Sequence, residues 1–260
     1  MKNTKLTKIH IVIGEGKDES GAIRRRITEI IAEKNATVTE DAEHADMIVV
    51  LGGDGTLMHA SHTAVTHGIP IVGVNLGRIG YMAEIETEEL HKLGDIIDGN
   101  YTVEERMMLT VTYDGNDYPA LNDAVIRAST THPAFVTLIC DGQMVNTYCG
   151  DGLICSTPTG STAYSVSAGG SVIDPRLNCI GVTPLCPQSL IARPLIFSPE
   201  CTLTLCAEEG RGCILTVDGE DGIPLTAGKA VTVKKSNTPL KMIRVTDDGF
   251  YTVLNKKLYV

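Results

Sequence analysis

The run MIVVL, residues 47–51, contains no polar position. A strand built from it has no face to offer water. It must be covered on both sides, which is the setting of a parallel sheet layered between helices. The surrounding sequence agrees. "KIHIVIG" (8–14) reads as a buried strand, and in "DESGAIRRRITEIIAEK" (18–34) Ile23, Ile27, Ile30 and Ile31 recur at helical spacing. A short "ATVTE" (36–40) follows. Beyond residue 55, "TLMHASHTAVTHG" (56–68) reads as a helix closed by Gly68, "IPIVGVN" (69–75) as a strand and "TEELHKLGDIIDG" (87–99) as a helix. An α/β N-terminal domain with a parallel sheet is expected over residues 1–101.

Near residue 101 the pattern changes. From "RMMLTVTYDGNDYPALNDAVIRAS" onward, alternating β-branched runs are separated by "YDGND", "CDGQ", "VDGED" and "TAGK", which are hairpin turn signals. A helix is expected there only around "STAYSVSAGG". A β-rich C-terminal domain is therefore expected over 102–239, followed by a segment, 240–260, able to pack back on the first domain.

Composition narrows the functional classes. Hydrophobic residues make up 43% of the 260 and charged residues 21%, and no apolar run reaches the roughly 20 residues that span a bilayer. The start, "MKNTKLTKIHIVIG", lacks the apolar core and cleavage site of a secretion signal, so a cytoplasmic location without a membrane partner is expected. A formal net charge of −10, with no basic cluster, argues against a nucleic-acid partner. The eight cysteines all lie from Cys140 onward and none forms a C-x-x-C pair. They are read as reduced, small core hydrophobes rather than zinc ligands.

The chemistry-bearing feature is "GGDGT", residues 52–56, where the buried strand meets the next helix. Asp-Gly occurs eight times, and most of those pairs must be plain turns. Only the pair at 54–55 follows a buried parallel-type strand and opens a helix. Ligands of open α/β sheets bind beyond the carboxyl ends of the strands. Glycines there let backbone N–H groups approach a phosphate, and the helix N-terminus adds favourable partial charge. A carboxylate in such a loop repels phosphate and needs another task. The natural one is to accept the proton of an attacking hydroxyl, as in phosphoryl transfer. "GEGKDES" fails as a dinucleotide fingerprint because Glu19 stands where the third glycine belongs. No P-loop and no G-x-S-x-G elbow is present.

Taken in order, "LGGDGTLMHA", "PIVGVNLGRIGYMAE", "ALNDAVI", "GDGLICSTPTGSTAYSVSAGG", "TPLCPQSLIARPL" and "VDGE" resemble the successive blocks of the NAD kinases over nearly the whole chain. Lipid kinases and phosphofructokinases carry loops similar to GGDGT; the ordered set is the specific sign. The resemblance implies transfer of the γ-phosphate of ATP to the 2′-hydroxyl of the adenosine ribose of NAD, giving NADP. Asp54 would be the base, and Gly52, Gly53, Gly55 and Thr56 would shape the phosphate loop. Asn122 and Asp123 match the Asn-acid pair at the adenosine end of NAD, with aspartate where glutamate is commoner. Asp151 matches the aspartate on the nicotinamide side, and Thr162, Ala163, Tyr164 and Ser167 lie in the segment that wraps the NAD. His59 and His132 stand where relatives place a basic ligand contact. Read without the family, "LNDAVI" passes for a strand with a turn residue and His59 for a packed histidine.

Two positions depart from the family: Cys149 where several relatives have arginine, and Glu220 where glutamine is common. The resemblance further implies a divalent cation, Mg²⁺, arriving with ATP and without dedicated protein ligands. It implies a homo-oligomer, commonly a tetramer, whose NAD site lies in the crevice between the domains and is completed by a neighbouring subunit. A lipid or sugar kinase of the same loop type, and a non-catalytic dinucleotide sensor, are the competing readings.

Overall fold

A computed structural model of the chain describes residues 3–77, 80–208, 212–226, 228–245 and 250–258. Parts of three segments read above lie outside them: Arg78 and Ile79 of "GRIGYMAE", Ala227 of "TAGK", and 246–249 and 259–260 of the C-terminal segment. The chain forms two compact units, one of residues 1–105 with 240–260, the other of 106–239.

The first unit is an α/β layer structure. Its strands are β1 (Lys8–Ile13), β2 (Thr37–Thr39), β3 (Met47–Gly52), β4 (Ile71–Asn75), β5 (Ile85–Glu86) and β6 (Thr102–Arg106). Its first three helices are α1 (Ala22–Glu33), α2 (Asp54–His67) and α3 (Lys92–Ile97). The sheet runs β2, β1, β3, β4, then the late strand Leu240–Arg244, then β6, with β5 beside β4. Every pairing of β1 to β5, and that of β4 with Leu240–Arg244, is parallel. β3 and β4 are buried at every position, as an unbroken apolar run requires. β1 is less covered than its sequence suggests: Ile9 is buried and the four residues after it are only half-buried. β2 is three residues long and pairs only with Lys8, Ile9 and His10. Ile27, Ile30 and Ile31 of α1 pack with Leu93, Ile96 and Ile97 of α3 on one side of the sheet.

The stretch 87–99 is not one helix. Residues Thr87–Glu89 form a 3₁₀ turn, and α3 covers only Lys92–Ile97. Gly94 packs so closely on the Lys34 side chain that a Cβ would sit 2.9 Å from its Cε.

The second unit is a sandwich of two six-stranded antiparallel sheets. One sheet alternates buried and half-buried residues along Leu109–Tyr113 and Leu203–Ala207, so one of its faces is wetter. The central strands Gly152–Ser156 and Ile180–Leu185 of the other are buried throughout. Inward residues of both sheets, such as Val111, Leu138 and Leu205 against Ile126, Leu153 and Leu215, make one core. The Asp-Gly signals read from sequence form tight turns: Asp114, Asp141 and Asp218 have φ of 51°, 49° and 50°, and Gly115, Gly142 and Gly219 follow at 81°, 79° and 74°. Two successive positive φ angles define the turn whose twist matches a hairpin.

In the first unit Arg244 donates from Nε to Glu104 (2.6 Å) and from Nη1 to Glu84 (2.7 Å), and the Glu84 side chain is 4% exposed. Arg244→Ala would strand a buried carboxylate without its guanidinium. A loss of about 3–5 kcal/mol is expected in urea unfolding; a loss below about 1 kcal/mol would mean the pair behaves as a solvated surface bridge.

Candidate active site

β3 ends at Gly52 and α2 starts at Asp54, with Gly53 between them in extended conformation (φ −105°, ψ −169°). Glycine is needed here for close approach. A Cβ on Gly52 would overlap Thr56 Oγ1, and so would one on Gly14, at the end of the neighbouring β1. Thr56 is thus seated between two glycines that the sequence places 38 residues apart. Gly53 and Gly55 differ: no described atom lies within 4 Å of where their Cβ would be, so the loop backbone is open on that side. His59, exposed and four residues after Gly55, stands on the same face of α2 rather than in the core.

The Asp54 carboxylate is held by backbone. Its Oδ2 accepts from the Tyr81 N–H (2.9 Å) and its Oδ1 from the Met82 N–H (3.1 Å). Gly80 lies against it so closely that a Cβ there would overlap Oδ1. The Tyr81 phenol is pushed above its ordinary range, first by burial and then by the Asp54 charge, and stays protonated. Neither Gly80 nor Tyr81 is singled out by the sequence as a site residue. The available signal was the glycine in "GRIGY", 26 residues beyond Asp54.

In the second unit the predicted residues fall into two sets. Asn122 and Asp123 sit where strand Asp123–Ala128 begins, opposite Ser156. The segment 157–164 follows Ser156 and folds back on them: the Thr157 N–H donates to the Asn122 carbonyl (2.8 Å), and the Thr157 hydroxyl to the Leu121 carbonyl (2.6 Å). A Cβ on Gly160 would overlap the Asn122 carbonyl, so this glycine is obligatory. A 3₁₀ turn, Gly160–Thr162, leads through Ala163 into the four-residue helix Tyr164–Ser167. Thr162 and Ala163 are half-buried, Ser167 is exposed, and the Tyr164 ring is 47% exposed.

Asp218 fastens this corner. Its carboxylate accepts the N–H groups of Leu121 (2.7 Å), Asn122 (2.8 Å) and Asp123 (3.0 Å), across nearly a hundred residues of sequence. The Asp123 carboxyl beside it is 6% exposed and is pushed up to about 7, chiefly by burial and secondarily by the Asp218 charge. The resemblance gives "VDGE" as a family block and assigns its aspartate no role.

Asp151 and His132 belong to the other end of the same sheet. Asp151 precedes strand Gly152–Ser156, and its N–H donates to the Leu185 carbonyl (2.9 Å). Five residues of strand, about 17 Å, separate it from the Asn122 corner. Asp151 is exposed and accepts from the Cys186 thiol, which its carboxylate holds above the ordinary thiol range. His132 is exposed in the turn before Ala134, whose partner is Gly150. Cys149, in the adjacent strand, pairs with Phe135. Glu220 closes the Asp218 turn through its N–H to the Val217 carbonyl (3.0 Å).

Comparison with known proteins gives this geometry its relatives. Residues 2–101 match the ATP-NAD kinase N-terminal domain family and residues 121–245 the ATP-NAD kinase C-terminal domain family. The chain belongs to the NAD kinase family. It is 40% identical to an NAD kinase of Heliobacterium modesticaldum over 90% of this chain and 85% of that one. It is also 40% identical to an NAD kinase of Natranaerobius thermophilus, over 88% of this chain and 84% of that one. Among solved structures, an Archaeoglobus fulgidus NAD kinase in complex with ATP superposes with a TM-score of 0.83 at 26% identity, covering 96% of this chain and 98% of that one. Yeast NADH kinase complexed with NADH shares the fold, with a TM-score of 0.86 at 23% identity over 98% of this chain and 88% of that one.

The perturbed Asp123 makes stability depend on pH. The native state holds this proton more tightly than the unfolded chain does. Stability therefore falls as pH rises from the ordinary carboxylate range to about 7, by about 1.4 kcal/mol per pH unit at most. Asp123→Asn is expected to flatten that slope and to be more stable than wild type at alkaline pH in denaturant titrations. A slope that persists in the variant would belong to other groups.

Proposed function

We infer that the chain is an NAD kinase using ATP as phosphoryl donor, and that Asp54 is its general base. The observation that carries this reading is a carboxylate at the mouth of a buried strand, oriented by the Tyr81 and Met82 amides beside an open glycine backbone. A carboxylate offers about four acceptor sites, so a substrate hydroxyl can be received as well as the two amides. The 2′-hydroxyl of the adenosine ribose would give its proton to Asp54 as it attacks the γ-phosphorus. The open N–H groups of 53–55 and the N-terminus of α2 would receive phosphate oxygens. Placing the two reactants together supplies up to about 7–11 kcal/mol, and the base about 10²–10⁴-fold.

Phosphoryl transfer of this kind generally needs a divalent cation. Among the described residues the two groups of three His, Cys, Asp or Glu ligands that converge both exclude Asp54. Mg²⁺ would then be carried by the triphosphate, neutralising its oxygens.

The adenosine end of NAD would rest on the Asn122–Asp123 corner, with the half-exposed Tyr164 ring available for stacking. A carboxyl that titrates near neutrality can donate as well as accept. Asp151 and His132, at the far end of the strand, suit a different copy's ligand. A homo-oligomer that shares residues between sites accounts for that separation.

Asp54→Asn is expected to lower kcat for NADP formation by about 10²–10⁴ while NAD still raises the melting temperature. Full activity in a folded variant would remove Asp54 from the chemistry. Binding of NAD by a wild type that consumes no ATP would point to a sensor. Mixing Asp54→Asn with Asp151→Asn chains and letting subunits exchange tests the shared site. Activity above both parents is expected, and none would place Asp151 in its own chain's site.

A further inference from the structure

Of the eight cysteines, Cys155, Cys179 and Cys213 are buried, and the partly buried Cys140 and Cys201 pack against the sandwich core as small hydrophobes; Cys186 is exposed. Two of the partly exposed ones meet. Cys140 ends strand Ala134–Cys140, and Cys201 precedes Leu203–Ala207, the strand hydrogen-bonded to it. Between them stands Asp141, the first residue of the "CDGQ" turn. Its positive φ swings the chain so that its N–H donates to the Thr202 carbonyl (3.0 Å) and its Oδ1 accepts from the Thr202 N–H (2.9 Å). The carboxylate is fixed facing both thiols. Cys140 Sγ lies 3.8 Å from Oδ2, Cys201 also donates to this carboxylate, and the three ligand atoms all lie within 4.8 Å of one another.

We propose that Cys140, Cys201 and Asp141 form a surface site for a thiophilic d¹⁰ cation of the zinc class, with water completing a tetrahedron. The donor set decides the metal: two sulfurs and one oxygen suit zinc or cadmium and exclude the oxygen-seeking Mg²⁺ and Ca²⁺. The spacing fits. Zn–S bonds of about 2.3 Å and Zn–O bonds of about 2.0–2.2 Å at tetrahedral angles place ligands about 3.5–3.8 Å apart. A cation would replace both thiol protons, which leave to solvent, and no electron is transferred.

Cys201 lies just outside the paired strand, two residues before Leu203, the partner of Cys140, and both cysteines are free thiols. Cys201 also borders an open cleft with Glu200, Lys234 and Lys235, which gives an ion access, and Lys235 Nζ lies 3.8 Å from Glu200 Oε1. Bound metal would clip the 198–202 turn to the end of the neighbouring strand, in a part of the second unit that the proposed chemistry does not use.

The test uses the reduced full-length chain and Cd²⁺ or Zn²⁺ alone. Cd²⁺ titration is expected to give a sulfur-to-metal charge-transfer band saturating at one ion per chain. Cys140→Ser/Cys201→Ser should lose it, Cys206→Ser should keep it, and Asp141→Asn, which can still accept from Thr202, should weaken it at least tenfold. Zn²⁺ should protect Cys140 and Cys201 of the wild type from alkylation, read by peptide mass spectrometry, a result that needs no variant. Equal alkylation with and without Zn²⁺ would overturn the proposal. So would a band that survives the double substitution, or ready closure of a Cys140–Cys201 disulfide by a small-molecule disulfide in a chain that takes no Cd²⁺.

Discussion

The two backbone bonds from Tyr81 and Met82 to Asp54 are the contact around which the first unit's functional end is organised. A carboxylate at the start of a helix would otherwise choose among rotamers in water. Here it is locked by amides that arrive from the far side of β4, and the chain can bring them that near only because Gly80 lacks a Cβ. Gly14 and Gly52 act on Thr56 in the same way. Glycine therefore does two separable things in this loop: at 14, 52 and 80 it permits contact, and at 53 and 55 it leaves backbone uncovered. A sequence motif that counts glycines does not distinguish them.

The second unit solves a related problem with a different carboxylate. Asp218 gathers three consecutive N–H groups at the Leu121–Asp123 corner, where the strand Asp123–Ala128 begins. The cost of gathering charge is borne by Asp123, which sits buried next to it with its proton retained to about 7. Structural anchoring and ligand-facing chemistry are divided between two aspartates that the sequence presents as equivalent Asp-containing turns or strand ends.

What could be read from the chain follows the range of the interactions. The buried strand β3, the helix after it and the Asp-Gly hairpins are local: an unbroken apolar run, a 3.6-residue period and paired positive φ angles leave marks within ten residues. The NAD kinase blocks made the family legible for the same reason. What escaped was non-local. The amides on Asp54 come from 27 and 28 residues away, and the Asp218 bonds span 95 to 97. Cys201 meets the Cys140–Asp141 pair across 60 residues, without the C-x-x-C spacing by which metal ligands are usually noticed. The helical period of 87–99 likewise does not mark the split into a 3₁₀ turn and a short helix.

The strand Leu240–Arg244 sits in the interior of the first sheet, between β4 and β6. As the chain leaves the ribosome, β6 is made more than 130 residues before the neighbour it needs. During that interval the Ile71 end of β4 lacks its partner, Val74 and Asn75 being already paired with β5, and the guanidinium that will neutralise Glu84 does not yet exist. The inserted sandwich, 106–239, has by contrast all of its strands before residue 240 is added. Synthesis thus favours an order in which the inserted unit matures first and the α/β unit closes last, on arrival of the strand Leu240–Arg244. Premature termination shortly before residue 240 would release a chain with an intact sandwich and an open, aggregation-prone sheet edge.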